Sequence, residues 1–549
     1  MMFRQIMRLT LRSKSTLFQS YSTKTGSTVF ALSSGHGRCG VAVIRVSGPS
    51  SSEAVKTLCG KTKLPHPRLA SLQRLIDPST SEVIDRGIVL WFPGPASFTG
   101  EDCAEFHVHG GTAVVTAILD ALGSLPGLHH AAPGDFARRA FLNGKMGLTE
   151  VEGLGDLINA ETEAQRRQAI RQMEGDLGNI YSDWRNRILK CLANVEAFID
   201  FDEEENIEED AMKIATVEVE KVSKEVEHHL ADNRRGERLR EGVHVAIIGA
   251  PNVGKSSLLN MLCRRPAAIV SPIAGTTRDV VETAINFTGY PVLLSDTAGL
   301  RETTDIIEKE GVKRALDRAQ KADLKVLMMD ATNVINTKSP HSKWSEYILD
   351  HMVCLGIPAT TLQNFDQSSP NTEYMNSGQF LETKKSSSPP AQDMHPDQES
   401  VSREVLDQSG DEDPALNSVI VAINKSDLLS EKERTLLPSS KDAKCPVCIL
   451  SCSTSEGLDA FTALLADQVK DLCGDPLASS PTLTQVRHRA HLKLCHQHLV
   501  RYQSHVSSQN TVLAAEALRR ALRELGQITG TVSVEDVLDV IFKDFCIGK

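Results

Sequence analysis

Eight residues, GAPNVGKS from Gly249 to Ser256, limit what this chain can fold into more than any other feature. They match G-x-x-x-x-G-K-S, follow the apolar run VHVAIIG and precede SSLLNMLC, so the loop joins a strand to a helix. A loop of this kind turns backbone N–H groups inward at a helix N-terminus, where they cradle phosphate groups. Lys255 can reach the outer oxygens, the Ser256 hydroxyl can bind Mg²⁺, and Asn252, Val253, Gly254 and Ser257 complete the cradle. From Val243 to about Cys473 apolar strands alternate with helices, which predicts a Ras-like parallel α/β sheet behind the loop.

Three later motifs turn phosphate binding into guanine nucleotide binding. DTAG ends the strand VLLSD and puts Asp296 near the magnesium, with Thr297, Ala298 and the Gly299 N–H toward the terminal phosphate. NKSD follows VIVAIN. With Asn424 and Lys425 beside it, the Asp427 carboxylate can accept from both N–H donors on guanine's edge, a pair that adenine lacks. SCS, the residues Ser451, Cys452 and Ser453, follows CPVCIL and would close over the base. Between the first loop and DTAG lies GTTRD, where Thr277 is assigned to Mg²⁺ as the switch threonine. The order of these motifs predicts a GTP hydrolase. Leu300 stands where small signalling GTPases carry a water-orienting glutamine, so another group must orient the water, and Glu308 in IIEKEG is the nearby carboxylate.

The 549 residues suggest about three or four folded units at roughly 150 residues each. A net charge of −11 excludes a protein that coats nucleic acid nonspecifically, so any such contact must come from a local patch. Twelve cysteines are too sparse for a disulfide scaffold and suggest a reducing compartment. With no run of 18 apolar residues, no membrane span is expected. Residues 1–52 hold no acid, and Arg4, Arg8 and Arg12 recur at helical spacing among apolar residues; residues 1–27 therefore read as a mitochondrial transit peptide and the destination as the matrix.

Residues 28–147 read as a first α+β domain, built on the strand-like runs VFALSS, GVAVIRVSG, VIDRGIVLWFPGP and AEFHVHGG. Residues 148–240 and 476–549 carry helical periodicity, so a helical domain is interrupted by the α/β unit 241–475. Within that unit, 336–417 is rich in Ser, Pro, Asp and Gln and reads as a disordered insertion.

SFTGEDCAEFHVHGG, APGDFARRAFLNGK followed by GLTEVEGLGDLI, GAPNVGKSSLLN, AGTTRD, DTAGLRE, NKSD and the terminal CIGK together resemble the MnmE (TrmE) family of tRNA modification GTPases, including its mitochondrial members. The resemblance covers residues 28–549 apart from the insertion and implies a folate-binding N-terminal domain that dimerises, so a homodimer. It implies a potassium ion in place of an arginine finger, held by Asn252 and by Ser271, Ile273 and Thr276 of a loop that contains Pro272. Glu308 matches the family's water-orienting glutamate. Arg45, Glu105 and Lys145 match positions that contact 5-formyl- or methylene-tetrahydrofolate, with Arg139 a weaker candidate, and Cys546 matches a thiol near the uridine. The implied reaction modifies C5 of the wobble uridine of certain mitochondrial tRNAs, as a carboxymethylaminomethyl or taurinomethyl group, with an FAD-containing MnmG-type partner.

A rival reading is a GTP-controlled mitochondrial ribosome assembly factor; a basic domain after the GTPase unit would favour it, and none is visible. Cys445, Cys448 and Cys452 read as buried strand residues and not as a metal set. His488, His491, Cys495 and His498 read as one packed helix face, and His107 and His109 as either structural or lining the folate pocket.

Overall fold

The computed structural model describes residues 26–201, 209–264, 282–296, 320–336, 344–354, 418–440, 445–476, 481–531 and the single residues 541, 545 and 548. Two compact units emerge: residues 1–240 with 474–549, and residues 241–473. The segment read as a transit peptide lies outside the described residues.

The first unit opens with a six-stranded sheet in the order β3-β4-β5-β2-β1-β6. Its strands are β1 (Thr28–Leu32), β2 (Cys39–Ser47), β3 (Ser71–Ile76), β4 (Val83–Phe92), β5 (Cys103–Gly110) and β6 (Leu128–His130). Alternation along β2 and β5 sends Ile44, Val46, Ala104 and Phe106 to one face. There α1 (Ser51–Cys59) and α2 (Thr112–Gly123) cover them with Val55, Leu58, Ile118 and Leu122. The other face takes Arg45 and Glu105, paired in register, while Phe136 of α3 (Asp135–Leu142) packs there on Val29 and Ala31.

The helices that follow are α4 (Leu148–Asn159), α5 (Glu163–Met173), α6 (Asp176–Phe201) and α7 (Glu209–Leu230). Thr162 caps α5 by accepting from the Gln165 N–H at 3.3 Å, the T-x-x-Q capping box.

The second unit is also six-stranded, in the order β12-β11-β10-β7-β9-β8. Its elements are β7 (Val243–Gly249), α8 (Lys255–Cys263), β8 (Glu282–Phe287), β9 (Tyr290–Asp296), β10 (Leu324–Asp330), α9 (Ala331–Asn336), α10 (Trp344–Cys354), β11 (Ser418–Asn424), β12 (Val447–Ile449) and α11 (Leu458–Cys473). Two sequence expectations need correction. The sheet is not wholly parallel: β8 runs antiparallel to β9, because Thr288 (φ 50°) and Gly289 (φ 91°) close a two-residue hairpin. Nor is 336–417 structureless throughout, since α10 buries Ile348 and Met352 in this unit's core with Trp344 and Tyr347 against it. Those apolar residues recur at helical spacing, a signal masked by the Ser- and Pro-rich sequence that follows. Residues 355–417 lie outside the described residues.

The chain returns to the first unit with α12 (Val486–Ser507) and α13 (Thr511–Thr529), which pack on α6 and α7 around Tyr181, Trp184, Ile188, Leu492, Leu499 and Leu518. Glu152 of α4 is buried in this unit, with His488 at 2.7 Å and Arg487 at 2.7 Å. Burial alone would raise its carboxyl, but these two partners outweigh burial and hold it down at about 2. Two residues near the end of the sequence return to this unit. Phe545 is buried against Gly155, and the Ser33 hydroxyl donates to the Gly548 carbonyl at 2.8 Å. No described helix is long and apolar enough to cross a membrane.

Candidate functional site

In the second unit the loops converge at the carboxyl ends of the parallel strands, where ligands bind in open α/β sheets. Gly249 ends β7 against the Met328 carbonyl, which leaves no room for a Cβ. Asn252 (φ 62°) and Gly254 (φ 107°) turn the loop in the left-handed region, and Gly254 caps α8. Lys255 is buried at the first turn, its ammonium on the Gly249 carbonyl at 2.8 Å and the Ala250 carbonyl at 2.9 Å. Asn252, Ser256 and Ser257 are exposed while Val253 is buried, so the loop's polar groups face solvent over an apolar footing. An N-terminal helix turn with an adjacent ammonium suits a polyphosphate.

Asn424 ties this loop to the others. Its Nδ2 donates to the Val253 carbonyl at 2.7 Å and its Oδ1 accepts from the Cys452 N–H at 2.9 Å, so one buried amide fixes three loops. A Cβ on Gly254 would run into that amide. Lys425, itself at φ 67°, pairs with Asp330 at 2.7 Å. The Ser451 hydroxyl donates to Asp427 at 2.5 Å and accepts from the Ser453 and Thr454 N–H groups at 3.2 Å each. The SCS turn therefore orients the carboxylate assigned to the base. Burial pushes the Cys452 thiol up to about 11, so it stays protonated beside Asp427. Sequence reasoning missed Asp330; a carboxylate closing LKVLMMD at a strand end was the available signal. The backbone of Asp296 ends β9. Ser271, Ile273, Thr276, Thr277, Thr297, Ala298, Gly299, Leu300 and Glu308 lie outside the described residues.

The first unit carries a second candidate site on the sheet face opposite α1 and α2. Arg45 donates from Nε and Nη2 to Glu105 Oε1 at 3.0 and 2.9 Å, and its guanidinium lies 5.2 Å from the Phe98 ring centre and 5.7 Å from that of Phe136. His107 joins Glu105 at 3.3 Å, whereas His109 turns away to Asp85 at 2.8 Å. The loop holding Phe98 is pinned by Ser47 on Thr99 (2.7 Å) and Glu101 (2.8 Å), and by Arg139 on Glu101 (2.8 Å). Arg139 is thus a brace beneath the loop. Lys145 reaches the Pro95 carbonyl at 3.2 Å. Phe98 and Phe136 were missed because a ring's place under a guanidinium depends on strand register. Cys546 lies outside the described residues.

Several residues of the cysteine and histidine clusters are packed or paired within the fold. Cys445 and Cys448 are buried, His488 meets Glu152, and His491 meets Glu524 at 2.8 Å. Cys495 is buried, and its thiol is pushed up to about 12. Among the described residues no group of three His, Cys, Asp or Glu side chains is arranged to hold a metal.

A glycine-rich phosphate loop, an aspartate-bearing NKSD loop and an SCS turn, held together by Asn424 at the carboxyl end of the sheet, define a P-loop GTPase of Ras-like topology. Residues 28–145 match the family profile described as GTP-binding protein TrmE N-terminus, and residues 148–546 the profile described as MnmE helical domain. Over 525 residues the chain is 49% identical to the 5-taurinomethyluridine-tRNA synthase subunit GTPB3, mitochondrial, of Danio rerio, spanning 95% of this chain and 93% of the relative. The Homo sapiens protein of the same name is 47% identical, at 96% and 94% coverage. The tRNA modification GTPase MnmE of Parvibaculum lavamentivorans is 44% identical, at 95% and 100%. The chain belongs to the MnmE (TrmE) family, in its mitochondrial branch.

Proposed function

We propose that this chain hydrolyses GTP to drive modification at C5 of the wobble uridine of mitochondrial tRNAs, of the taurinomethyl type. A tetrahydrofolate supplies the one-carbon unit and an MnmG-type FAD protein is the partner subunit. The observation that carries the reading is that relatives named for this modification, both as a synthase subunit, match the chain almost end to end. Lys255 neutralises the outer phosphate oxygens, Ser256 and Thr277 hold Mg²⁺ with Asp296 nearby, and Asp427 reads guanine. Mg²⁺ and K⁺ supply positive charge to the phosphates when bound. Asn252, with Ser271, Ile273 and Thr276, holds the potassium. Glu308 orients the attacking water in place of the glutamine that Leu300 replaces. A homodimer brings the switches of two such units together.

Mass spectrometry of mitochondrial tRNA from cells lacking the protein tests this. The taurinomethyl mass at the wobble position should disappear; its persistence beside defective ribosomal subunits would favour the assembly-factor reading.

The folate site is proposed on the Arg45 face, where Arg45 and Lys145 suit carboxylates and Glu105 suits the donor edge of a pterin. Because Arg45 is already oriented by Glu105 and two rings, it needs little ordering to bind. Arg45→Ala in the full chain should weaken 5-formyltetrahydrofolate binding by about 10- to 100-fold, as for a charged hydrogen bond of about 1.5–3 kcal/mol, and leave GTP turnover unchanged. Calorimetry giving equal affinity would remove Arg45 from the site.

A further inference from the structure

Helix α12 departs from the acidic character of the chain. Over Val486–Ser507 it holds Arg487, Arg489, Lys493 and Arg501, five histidines and no Asp or Glu, in a protein of net charge −11. Its inward cations are matched: Arg487 to Glu152 at 2.7 Å, and Arg489 to Asp232 and Glu237 at 2.5 Å each. The solvent side differs. Arg501 is exposed and, among the described residues, makes no side-chain hydrogen bond or ion pair, and the same holds for Arg523 on α13.

Exposed Lys493, Arg519 and Arg520 extend this face. Arg501 and Arg520 both bear on His498: burial first, then these cations, lower its imidazole pKa, against an opposing pull from Glu524. The acids beside this face among the described residues are already engaged. Glu516 holds Arg520 at 3.0 Å and Arg519 at 3.6 Å, Glu524 holds His491 at 2.8 Å, and Glu196 holds Arg519 at 3.0 Å. Exposed arginines that carry no ionic partner on the described surface leave positive charge that an incoming anion can neutralise.

We propose that the solvent face of the α12–α13 pair, centred on Arg501 and Arg523, docks the phosphate backbone of the RNA substrate. The inference rests on the tRNA-modification reading and names the surface that reading needs. Charge complementarity selects the occupant: a guanidinium fork matches two phosphate oxygens, and a row of them suits a polyanion better than a mixed-charge protein surface. It is also the local patch to which the acidic chain must confine RNA binding.

The full-length Arg501→Glu/Arg523→Glu variant is tested beside the parent by fluorescence anisotropy with an unmodified tRNA transcript at several salt concentrations. The variant should bind at least about tenfold more weakly, and the slope of log affinity against log salt should flatten by roughly 0.7–0.9 for each phosphate that is no longer neutralised. Arg501→Gln/Arg523→Gln should fall between the two, which separates missing attraction from added repulsion. GTP turnover and circular dichroism should match the parent. A parent that binds the transcript and a variant with the same affinity and salt slope would overturn this surface while leaving the tRNA reading intact. Unchanged RNA affinity with loss of the partner subunit would also overturn it, as a protein interface. A parent that binds no tRNA at any salt would sink both.

Discussion

Asp427→Asn is expected to lose GTP and gain xanthosine triphosphate. The Ser451 hydroxyl, 2.5 Å from Asp427, fixes the carboxylate's direction, and the Ser453 and Thr454 N–H groups hold that hydroxyl in turn. An amide in the same position keeps one acceptor but points N–H groups at a guanine donor, whereas xanthine presents an acceptor there. A mismatch inside a site built for hydrogen bonds costs about 10⁴-fold. Competition binding with both nucleotides measures it, and a variant that holds GTP as tightly as the parent would show NKSD misassigned. Ser451→Ala should show a weaker version of the same loss, because the carboxylate remains and only its orientation is freed.

Potassium should accelerate GTP turnover steeply when it replaces sodium at equal ionic strength. No arginine finger is identifiable in the sequence and Leu300 cannot hydrogen-bond, so charge developing between the β- and γ-phosphates needs another cation, a role worth about 10³ to 10⁵ in rate when arginine fills it. Asn252 is exposed at φ 62° on the phosphate loop, which leaves its side-chain oxygen available to an ion. Asn252→Ala should retain nucleotide and lose most of the potassium effect. Glu308→Ala should behave differently: single-turnover hydrolysis slows in either salt while GTP affinity holds, since an orienting group acts mainly in the transition state. Equal parent rates in sodium and potassium would remove the ion from the mechanism and make Pro272 in the ion loop the first suspect.

The phosphate loop was legible because every local signal agreed: a β-branched strand, glycines where backbone turns left-handed, and a helix with its lysine at the first position. What stayed hidden depends on residues far apart in sequence. That Asn424 would join Val253 to Cys452, besides standing first in NKSD, follows only when three loops meet. The pairing of Arg45 with Glu105 needs the register of β2 on β5, and a slip of one residue would send Glu105 to the opposite face. Helix α10 failed to show because composition averaged over eighty or so residues outvoted a short periodic run; an eleven-residue window centres on it.

The helical core around Tyr181 draws its first two helices from before the inserted unit and its last two from after it, and Gly474 returns beside Arg235, close to where the chain left. A polypeptide that emerges from a ribosome or enters a compartment N-terminus first must therefore hold α6 and α7 with their apolar faces uncovered until the whole GTPase unit has passed. At roughly 5–20 residues per second that wait is of the order of tens of seconds. During it the half-built bundle is a client for chaperones, while the GTPase unit, continuous in sequence, is free to form at once. Chains cut just after the inserted unit should accordingly leave a nucleotide-binding fragment attached to an aggregating one.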